Sequence, residues 1–173
     1  MSIVSRLKNR LIAKLITRFP SLAQGFIDAY APWESGEPTP WSPPAKPLRD
    51  CKLALVTTSG VHHSDQPPFD MQDKEGDPSF RVIDGATIGS DYRISHDYYD
   101  HSDAERDLNI IFPIDRLREL QQEGVIGQLA DSHYSFMGHI DGRHIATLIG
   151  RTARQVAQKL KQDGVDVVLL TPA

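Results

Sequence analysis

The run DGVDVVLLTPA at residues 163–173 is the feature that most constrains the fold. A glycine followed by an unbroken apolar run is typical of a helix that ends and continues into a buried parallel strand. The run CKLALVTTSG at residues 51–60 is also apolar, and it ends in Ser and Gly. Both runs therefore predict strands that are covered on both faces, as in α/β proteins.

Two helical patterns and a third strand pattern lie between these runs. FPIDRLRELQQEG (112–124) has a proline suited to a first helical turn, and TLIGRTARQVAQKLKQDG (147–164) carries one apolar stripe before its glycine. The mixed segment SHYSFMGHI (132–140) predicts a further strand. The order strand, long loop, helix, strand, helix, strand predicts an α/β fold with a doubly wound parallel sheet over residues 51–173. Ligands of such sheets bind beyond the carboxyl ends of the strands.

Two segments of different composition precede this domain. Residues 1–30 are predicted to form an amphipathic basic helix, because apolar residues recur at helical spacing and the first twenty residues hold five Lys/Arg and no acid. We expect this helix to dock on the domain or on a partner subunit, with peripheral membrane attachment as the alternative. Residues 31–50 hold six prolines and two tryptophans, which excludes a central strand and predicts an extended strap.

The composition limits the function classes. The net charge of −4 gives no general footprint for nucleic acid, and no apolar run is long enough to span a membrane. The single cysteine, Cys51, excludes an intramolecular disulfide and a cysteine-rich zinc site. Cys51 precedes its strand, and packing is its expected role. One thiol is typical of a protein from a reducing compartment, so we expect a cytoplasmic location.

Histidines and carboxylates cluster in ISHDYYDHSDAERD at residues 94–107. His96, Asp100 and His101 could ligate zinc, manganese or iron. The stretch is similar to the H-x-H-x-D-H signature of metallo-β-lactamase-fold hydrolases, with Tyr98 in place of the middle histidine. A metal-dependent hydrolase that uses these three residues is therefore one alternative.

The same segment also has a structural interpretation. Ser102 and Glu105 have the spacing of a capping box, which predicts a helix start there. His62 and His63 follow the first strand, so they could contact a substrate at the sheet edge or lie exposed in solvent. The sequence contains no nucleophile elbow and no phosphate-binding glycine pattern.

Five segments together form an ordered match to a known family. LALVTTSGVHHSDQPPFD, GDPSFRVI, SHDYYDHSDAERDLNIIFPIDRLRELQQEGVIG, HYSFMGHI and DGVDVVLLTP resemble the selenoprotein B family of glycine, sarcosine, betaine and D-proline reductases. The resemblance extends from Pro40 to the last residue and is strongest to the D-proline reductase branch. The basic helix lies outside it.

The resemblance implies a dithiol-dependent reductase that cleaves a C–N bond of an amine or amino acid. It further implies a selenocysteine or cysteine nucleophile, a thiol reductant, and a partner subunit whose pyruvoyl group holds the substrate as an imine. In the family the redox motif follows the last strand, so we expect the Sec or Cys directly after Ala173. The sheet would then be incomplete, residues 51–173 would be the N-terminal part of the reductase domain, and these residues alone would be inactive.

The candidate crevice residues follow from this resemblance and from their places beside the strands. We expect five side chains to act there as acid/base or positioning groups: His62, His63, His96, Asp100 and His101. A third alternative is a non-catalytic α/β binding or scaffold subunit, which would dock a partner through the basic helix and the strap.

Overall fold

The computed structural model describes residues 3–24, 28, 42–86, 88–89 and 91–172. The helices are α1 (Ile3–Arg18), α2 (Ile114–Gln122), α3 (Arg143–Thr147) and α4 (Ala153–Gln162). The strands are β1 (Lys52–Thr57), β2 (Val61–His63), β3 (Phe80–Asp84), β4 (Tyr92–Ile94), β5 (Gln128–Leu129), β6 (Ser132–Phe136) and β7 (Val167–Thr171). A π-helical segment, Leu148–Thr152, joins α3 to α4. Most of the predicted strap, including Trp33 and Trp41, lies outside the described residues.

Strand β1 is the centre of the main sheet. It pairs in parallel with β7 on one side and with β5 and β6 on the other. The register places Thr57 beside Thr171, and Val56 beside Tyr134. The carboxyl ends of β1, β6 and β7 therefore meet at one edge of the sheet. Strand β3 extends the sheet beyond β6 in antiparallel orientation, and β2 pairs with β4 in a separate two-stranded sheet.

Alternate residues of β1 pack on opposite faces of the sheet. Leu53 and Leu55 belong to a buried cluster that includes α2, whereas Ala54 and Val56 belong to a cluster that includes α4. Helices thus cover both faces of a strand that has no polar face, which explains its unbroken apolar sequence. The predicted α/β fold is confirmed.

The main sheet contains one antiparallel strand that the sequence-based expectation lacks. The segment after β1 is predicted as a loop, yet it holds β2, β3 and β4, and β3 makes the main sheet mixed instead of wholly parallel. Ile83 is the one buried residue of β3. A mostly exposed outer strand lacks the apolar run that marks a buried strand, so the sequence pattern does not reveal it.

Helix α1 docks on the domain, which is one of the alternatives that the sequence left open. The docking face carries Arg6 beside the half-buried Ile12 and Ile16. Arg6 and Arg10 reach Asp97 and His101 of the domain, and Ala13 is the one buried residue of the helix. No helix in the described ranges is long and apolar enough to cross a membrane.

Candidate functional site

Two glycines allow the loops at the carboxyl edge of the sheet to approach each other closely. Gly60 follows β1 with a φ of 72°, and Gly138 follows β6 with a φ of 87°, conformations that other residues seldom adopt. A Cβ on Gly60 would lie 2.5 Å from the carbonyl oxygen of Ser95, and one on Gly138 would lie 2.1 Å from that of Thr58. Because neither position has room for a side chain, Ser95 and the following His96 pack directly onto the edge.

Hydroxyl groups fix the same edge. Oγ1 of Thr57 lies 2.9 Å from Oγ of Ser59 and 3.1 Å from the carbonyl oxygen of Ile111. Oγ1 of Thr171 donates to the same carbonyl oxygen at 2.9 Å. The ends of β1 and β7 are therefore tied together through the loop that precedes α2.

The side chain of His96 lies at this edge. Its ring is 4.8 Å from that of Tyr99, and its Nε2 is 3.2 Å from the position that a Cβ would take on Gly138. The backbone N–H of Tyr98 donates to Nδ1 at 3.1 Å, so the neutral ring carries its proton on Nε2. Burial, followed by the nearby His139, lowers the pKa of His96 to about 4. His96 is therefore a neutral N–H donor at pH 7, and Nε2 has no hydrogen-bond partner among the described residues.

The carboxylate next to it, Asp97, is buried and paired with α1. Its side chain is 2 % exposed, and its Oδ2 accepts a hydrogen bond from Nε of Arg6 at 2.6 Å. Nε of Arg10 lies 3.9 Å from Oδ1 of Asp97, and Nη2 of Arg10 lies 3.4 Å from Nε2 of His101. A buried carboxylate without a partner is strongly unfavourable, so α1 supplies the charge that this position requires.

A cleft of about 730 Å³ lies between α1 and the segment 92–115. Four arginines and four acidic residues line it, beside His96 and His101. This volume is in the range of small-molecule sites, and the mixed charge suits a small zwitterion better than an apolar ligand or a polyanion.

Comparisons with known proteins identify the family. Residues 21–173 match the family model described as glycine/sarcosine/betaine reductase selenoprotein B. The chain belongs to this selenoprotein B family. It is 42 % identical over 134 residues to D-proline reductase subunit gamma of Acetoanaerobium sticklandii. This alignment covers 78 % of this chain and 53 % of that relative. The predicted resemblance is confirmed.

Other members of the selenoprotein B family match at lower identity. The chain is 34 % identical over 143 residues to glycine reductase complex component B subunit gamma of Symbiobacterium thermophilum, covering 81 % of this chain and 32 % of that one. It is 31 % identical over 136 residues to sarcosine reductase complex component B subunit beta of Peptoclostridium acidaminophilum, covering 76 % and 30 %. The chain thus spans about half of the D-proline reductase subunit and about a third of the other two. No solved structure matches the chain.

Of the candidate site residues, His62 and His63 both lie in β2. Nδ1 of His62 donates to the carbonyl oxygen of His63 at 2.8 Å, and its Nε2 accepts from Oγ of Ser95 at 3.0 Å. Burial lowers the pKa of His62. Nε2 of His63 accepts from the backbone N–H of Asp84 at 3.0 Å. Neither ring lines the cleft, and His62 instead holds Ser95 in place directly before His96.

His101 lines the cleft, and Asp100 does not. Nδ1 of His101 lies 2.6 Å from Oε1 of Glu105, while Oδ1 of Asp100 accepts from the backbone N–H of Ser102 at 3.2 Å and shapes a turn. The predicted capping box is wrong. A capping box requires a helix to start at Ser102, but residues 102–106 form turns, and the side chain of Glu105 contacts His101 instead.

The candidate metal ligands within 96–101 do not form a metal-binding group. In the described part of the chain, the single group of three ligand atoms within 4.8 Å of one another comes from Asp73, Glu75 and His144. Arg143 pairs with both carboxylates, with Nη1 2.7 Å from Oε2 of Glu75. A guanidinium group therefore already offsets part of their charge, and the hydrolase alternative gains no geometric support.

Cys51 is far from the cleft. Its side chain is buried, and Sγ donates to the carbonyl oxygen of Pro47 at 3.3 Å. It precedes β1, and the rise of the strand puts it about 20 Å from Thr57 at the carboxyl end of β1. Cys51 is thereby excluded as a nucleophile acting at the carboxyl edge.

Sequence reasoning missed the two arginines of α1 and the tyrosine beside His96. Arg6 contacts a residue 91 positions away in the chain, which no local pattern reveals. Tyr99 donates its hydroxyl to the carbonyl oxygen of Ser59 at 3.1 Å and thereby anchors the His96 segment to the edge. Tyr98 and Tyr99 are adjacent within the polar cluster at residues 94–107, and this was the sequence signal that could have identified Tyr99.

Proposed function

We propose that this chain forms the cleft-bearing part of a dithiol-dependent reductase that cleaves the C–N bond of a small amino acid. D-Proline is the first candidate substrate, because the D-proline reductase subunit has the highest identity of the three relatives compared. One observation carries the proposal. In a chain of this family, a neutral histidine donor without a partner among the described residues lies beside a cleft of mixed charge.

The proposed reaction is a two-electron reduction. In D-proline the bond between Cα and the ring nitrogen breaks, each atom gains one hydrogen, and the product is 5-aminopentanoate. The two electrons and two protons come from a dithiol, which becomes a disulfide. A reductant of this kind fits the reducing cytoplasm.

The residues of this chain would bind and orient the substrate. Nε2–H of His96 would donate a hydrogen bond to a carboxylate or carbonyl oxygen, and Arg93, which also lines the cleft, would favour a carboxylate over a neutral group. Since the pKa of His96 is lowered to about 4 by burial, the ring acts as a donor at neutral pH and not as a store of protons. His62 would act through Ser95 as a positioning residue.

The nucleophile would come from outside the 173 residues. Cys51 is the single thiol and lies at the wrong end of β1. The carboxyl end of β7 lies beside that of β1, so residues that follow Pro172 would emerge near His96. A selenocysteine or cysteine directly after Ala173 is the specific form of this proposal. A pyruvoyl carbonyl on a partner subunit would supply the electrophilic activation of the amine, and the Nε2–H donor fits a carbonyl acceptor.

The complete protein, combined with its partner subunit, tests the proposal. We expect it to convert D-proline to 5-aminopentanoate with dithiothreitol, measured by chromatography. No turnover of D-proline, glycine, sarcosine or betaine by that complex would overturn the proposed function. Stoichiometric zinc or manganese in protein purified without added metal would instead support the hydrolase alternative.

Two substitutions of His96 separate a binding role from a scaffold role. His96→Asn keeps an acceptor near Nδ1 for the N–H of Tyr98, whereas His96→Gln keeps a donor near Nε2. Loss of one donor to developing or full negative charge costs about 100-fold in turnover. We therefore expect His96→Asn to lower kcat/KM by about 100-fold and His96→Gln to retain most of it. Equal kcat/KM of the two variants would show that His96 has a structural role and does not donate a hydrogen bond to the substrate.

A further inference from the structure

The outer face of α1 is apolar, although the helix is docked on the domain. Five side chains of this face are between 47 and 78 % exposed: Ile3, Val4, Leu7, Leu11 and Leu15. An amphipathic helix on a globular domain normally turns its apolar stripe toward the core. Helix α1 has the reverse orientation, because Arg6 on its polar face is paired with the buried Asp97.

The stripe is long and continues past the helix. Phe19 and Leu22, which follow α1, are 53 % and 49 % exposed. The 16 residues of α1 make the stripe about 24 Å long at the rise of an α-helix. An exposed apolar surface of this length marks an interaction site.

The charge of the same segment indicates the partner. The first twenty residues carry a charge of +5, and since the whole chain carries −4, the remainder carries −9. Arg6 and Arg10 contact the domain, whereas Lys8, Lys14 and Arg18 are exposed, with Lys14 on the side of the helix that borders Asp100. A second copy that paired through the same helix would place like charges against one another, whereas an anionic surface is complementary in charge to this segment.

Apolar side chains with long cationic side chains on both sides fit the boundary between lipid headgroups and acyl chains. On the helical wheel, Lys8 and Lys14 lie at opposite borders of the stripe that Leu7 and Leu11 form. Their aliphatic stems can lie along the acyl boundary while the ammonium groups reach the phosphates. We propose that the outer face of α1 binds the surface of an anionic lipid bilayer, with the helix axis parallel to the membrane plane. The negative charge of the remaining chain would keep the other faces away from that surface.

Vesicle co-sedimentation of the complete protein tests this site. The probes are vesicles of phosphatidylcholine alone and vesicles with about one-third phosphatidylglycerol. We expect binding to the anionic vesicles alone, weakened as NaCl is raised from about 0.05 M to about 0.5 M. The double variant Lys8→Gln/Lys14→Gln should bind about 30-fold more weakly, since each cation near the surface contributes about fivefold. Leu7→Gln/Leu11→Gln should lose about tenfold or more.

Val125→Gln is the matched control, because Val125 is 48 % exposed but lies after α2. It should bind like the unchanged chain, and circular dichroism should show the same helix content in all variants. Three results would overturn the proposal: no binding to either vesicle type, equal losses for Val125→Gln and the leucine variant, or a dimer without vesicle binding that Leu7→Gln/Leu11→Gln abolishes. The last result would assign the stripe to a second copy of the chain.

Discussion

The ion pair between Arg6 and Asp97 should contribute measurably to the stability of the protein. Replacing Arg6 by Met keeps most of the apolar stem but removes the guanidinium. The carboxylate of Asp97, whose side chain is 2 % exposed, would then retain Arg10 with its Nε at 3.9 Å as its nearest cation. A buried carboxylate that loses its partner is destabilising because water cannot replace the lost hydrogen bond.

The magnitude follows from the burial of the two partners. Breaking a fully buried pair costs about 3–5 kcal/mol. The side chain of Arg6 is 39 % exposed, so solvent screens part of this interaction and we expect Arg6→Met to cost about 2 kcal/mol. For a domain of this size that corresponds to a fall in melting temperature of roughly 6 °C.

A double-mutant cycle with Asp97→Asn isolates the pair, with the free energy of unfolding measured in urea. We expect a coupling energy of about 1 kcal/mol or more between the two positions. Arg106→Met is the control, because its pair with Asp103 is exposed on both sides and should contribute less than about 0.5 kcal/mol. Two results would contradict the docking of α1 through Arg6. Either Arg6→Met destabilises the protein no more than Arg106→Met, or the effects of Arg6→Met and Asp97→Asn on the free energy of unfolding are additive.

Three further predictions concern the edge, the thiol and the pH dependence. Gly60→Ala should destabilise the protein by about 1–3 kcal/mol more than Gly124→Ala, because both have a φ of 72° but Gly124 has nothing within 4 Å of an added Cβ. Cys51→Ala should leave the turnover of the complete enzyme unchanged, and the native thiol should react slowly with a maleimide because it is buried. Burial lowers the pKa of both His96 and His133 to about 4, so the unfolded chain binds more protons between about pH 4 and 6.5. The free energy of unfolding should therefore fall as the pH drops through this window, by about 1 kcal/mol per pH unit for each histidine.

The contradicting results are equally specific. Equal destabilisation by the two alanines would mean that the loops do not meet at Gly60. Loss of turnover in Cys51→Ala would place the thiol in the chemistry. Titration of His96 near its ordinary pKa, followed by NMR of the ring protons, would contradict its burial and the donor role proposed for it.

The main elements of the fold are predictable because each has a local signal. The apolar runs of β1 and β7, and Gly164 at the end of the helix before β7, identify these two parallel strands. Strand β3 is not predictable in this way, because its position beside β6 depends on pairing between distant segments. The side chain of His133 illustrates the same limit, since its Nδ1 accepts the backbone N–H of Leu55 from inside the sheet.

The candidate site is predictable only in part for a related reason. The sequence identified His96 and His101 as candidates from their dense polar cluster, but the tautomer of His96 depends on the backbone N–H of Tyr98. The face by which α1 docks is decided by one buried carboxylate, Asp97, and amphipathicity alone favours the opposite face. Such contacts arise from tertiary packing, which a single sequence does not display.

The proposed function requires a nucleophile outside these 173 residues. The most direct test is the intact mass and selenium content of the protein isolated from its native cells. A mass well above 19.3 kDa, with one selenium atom or an added cysteine after Ala173, is the predicted result. A native mass of 19.3 kDa without selenium, in a protein that still reduces D-proline, would contradict the claim.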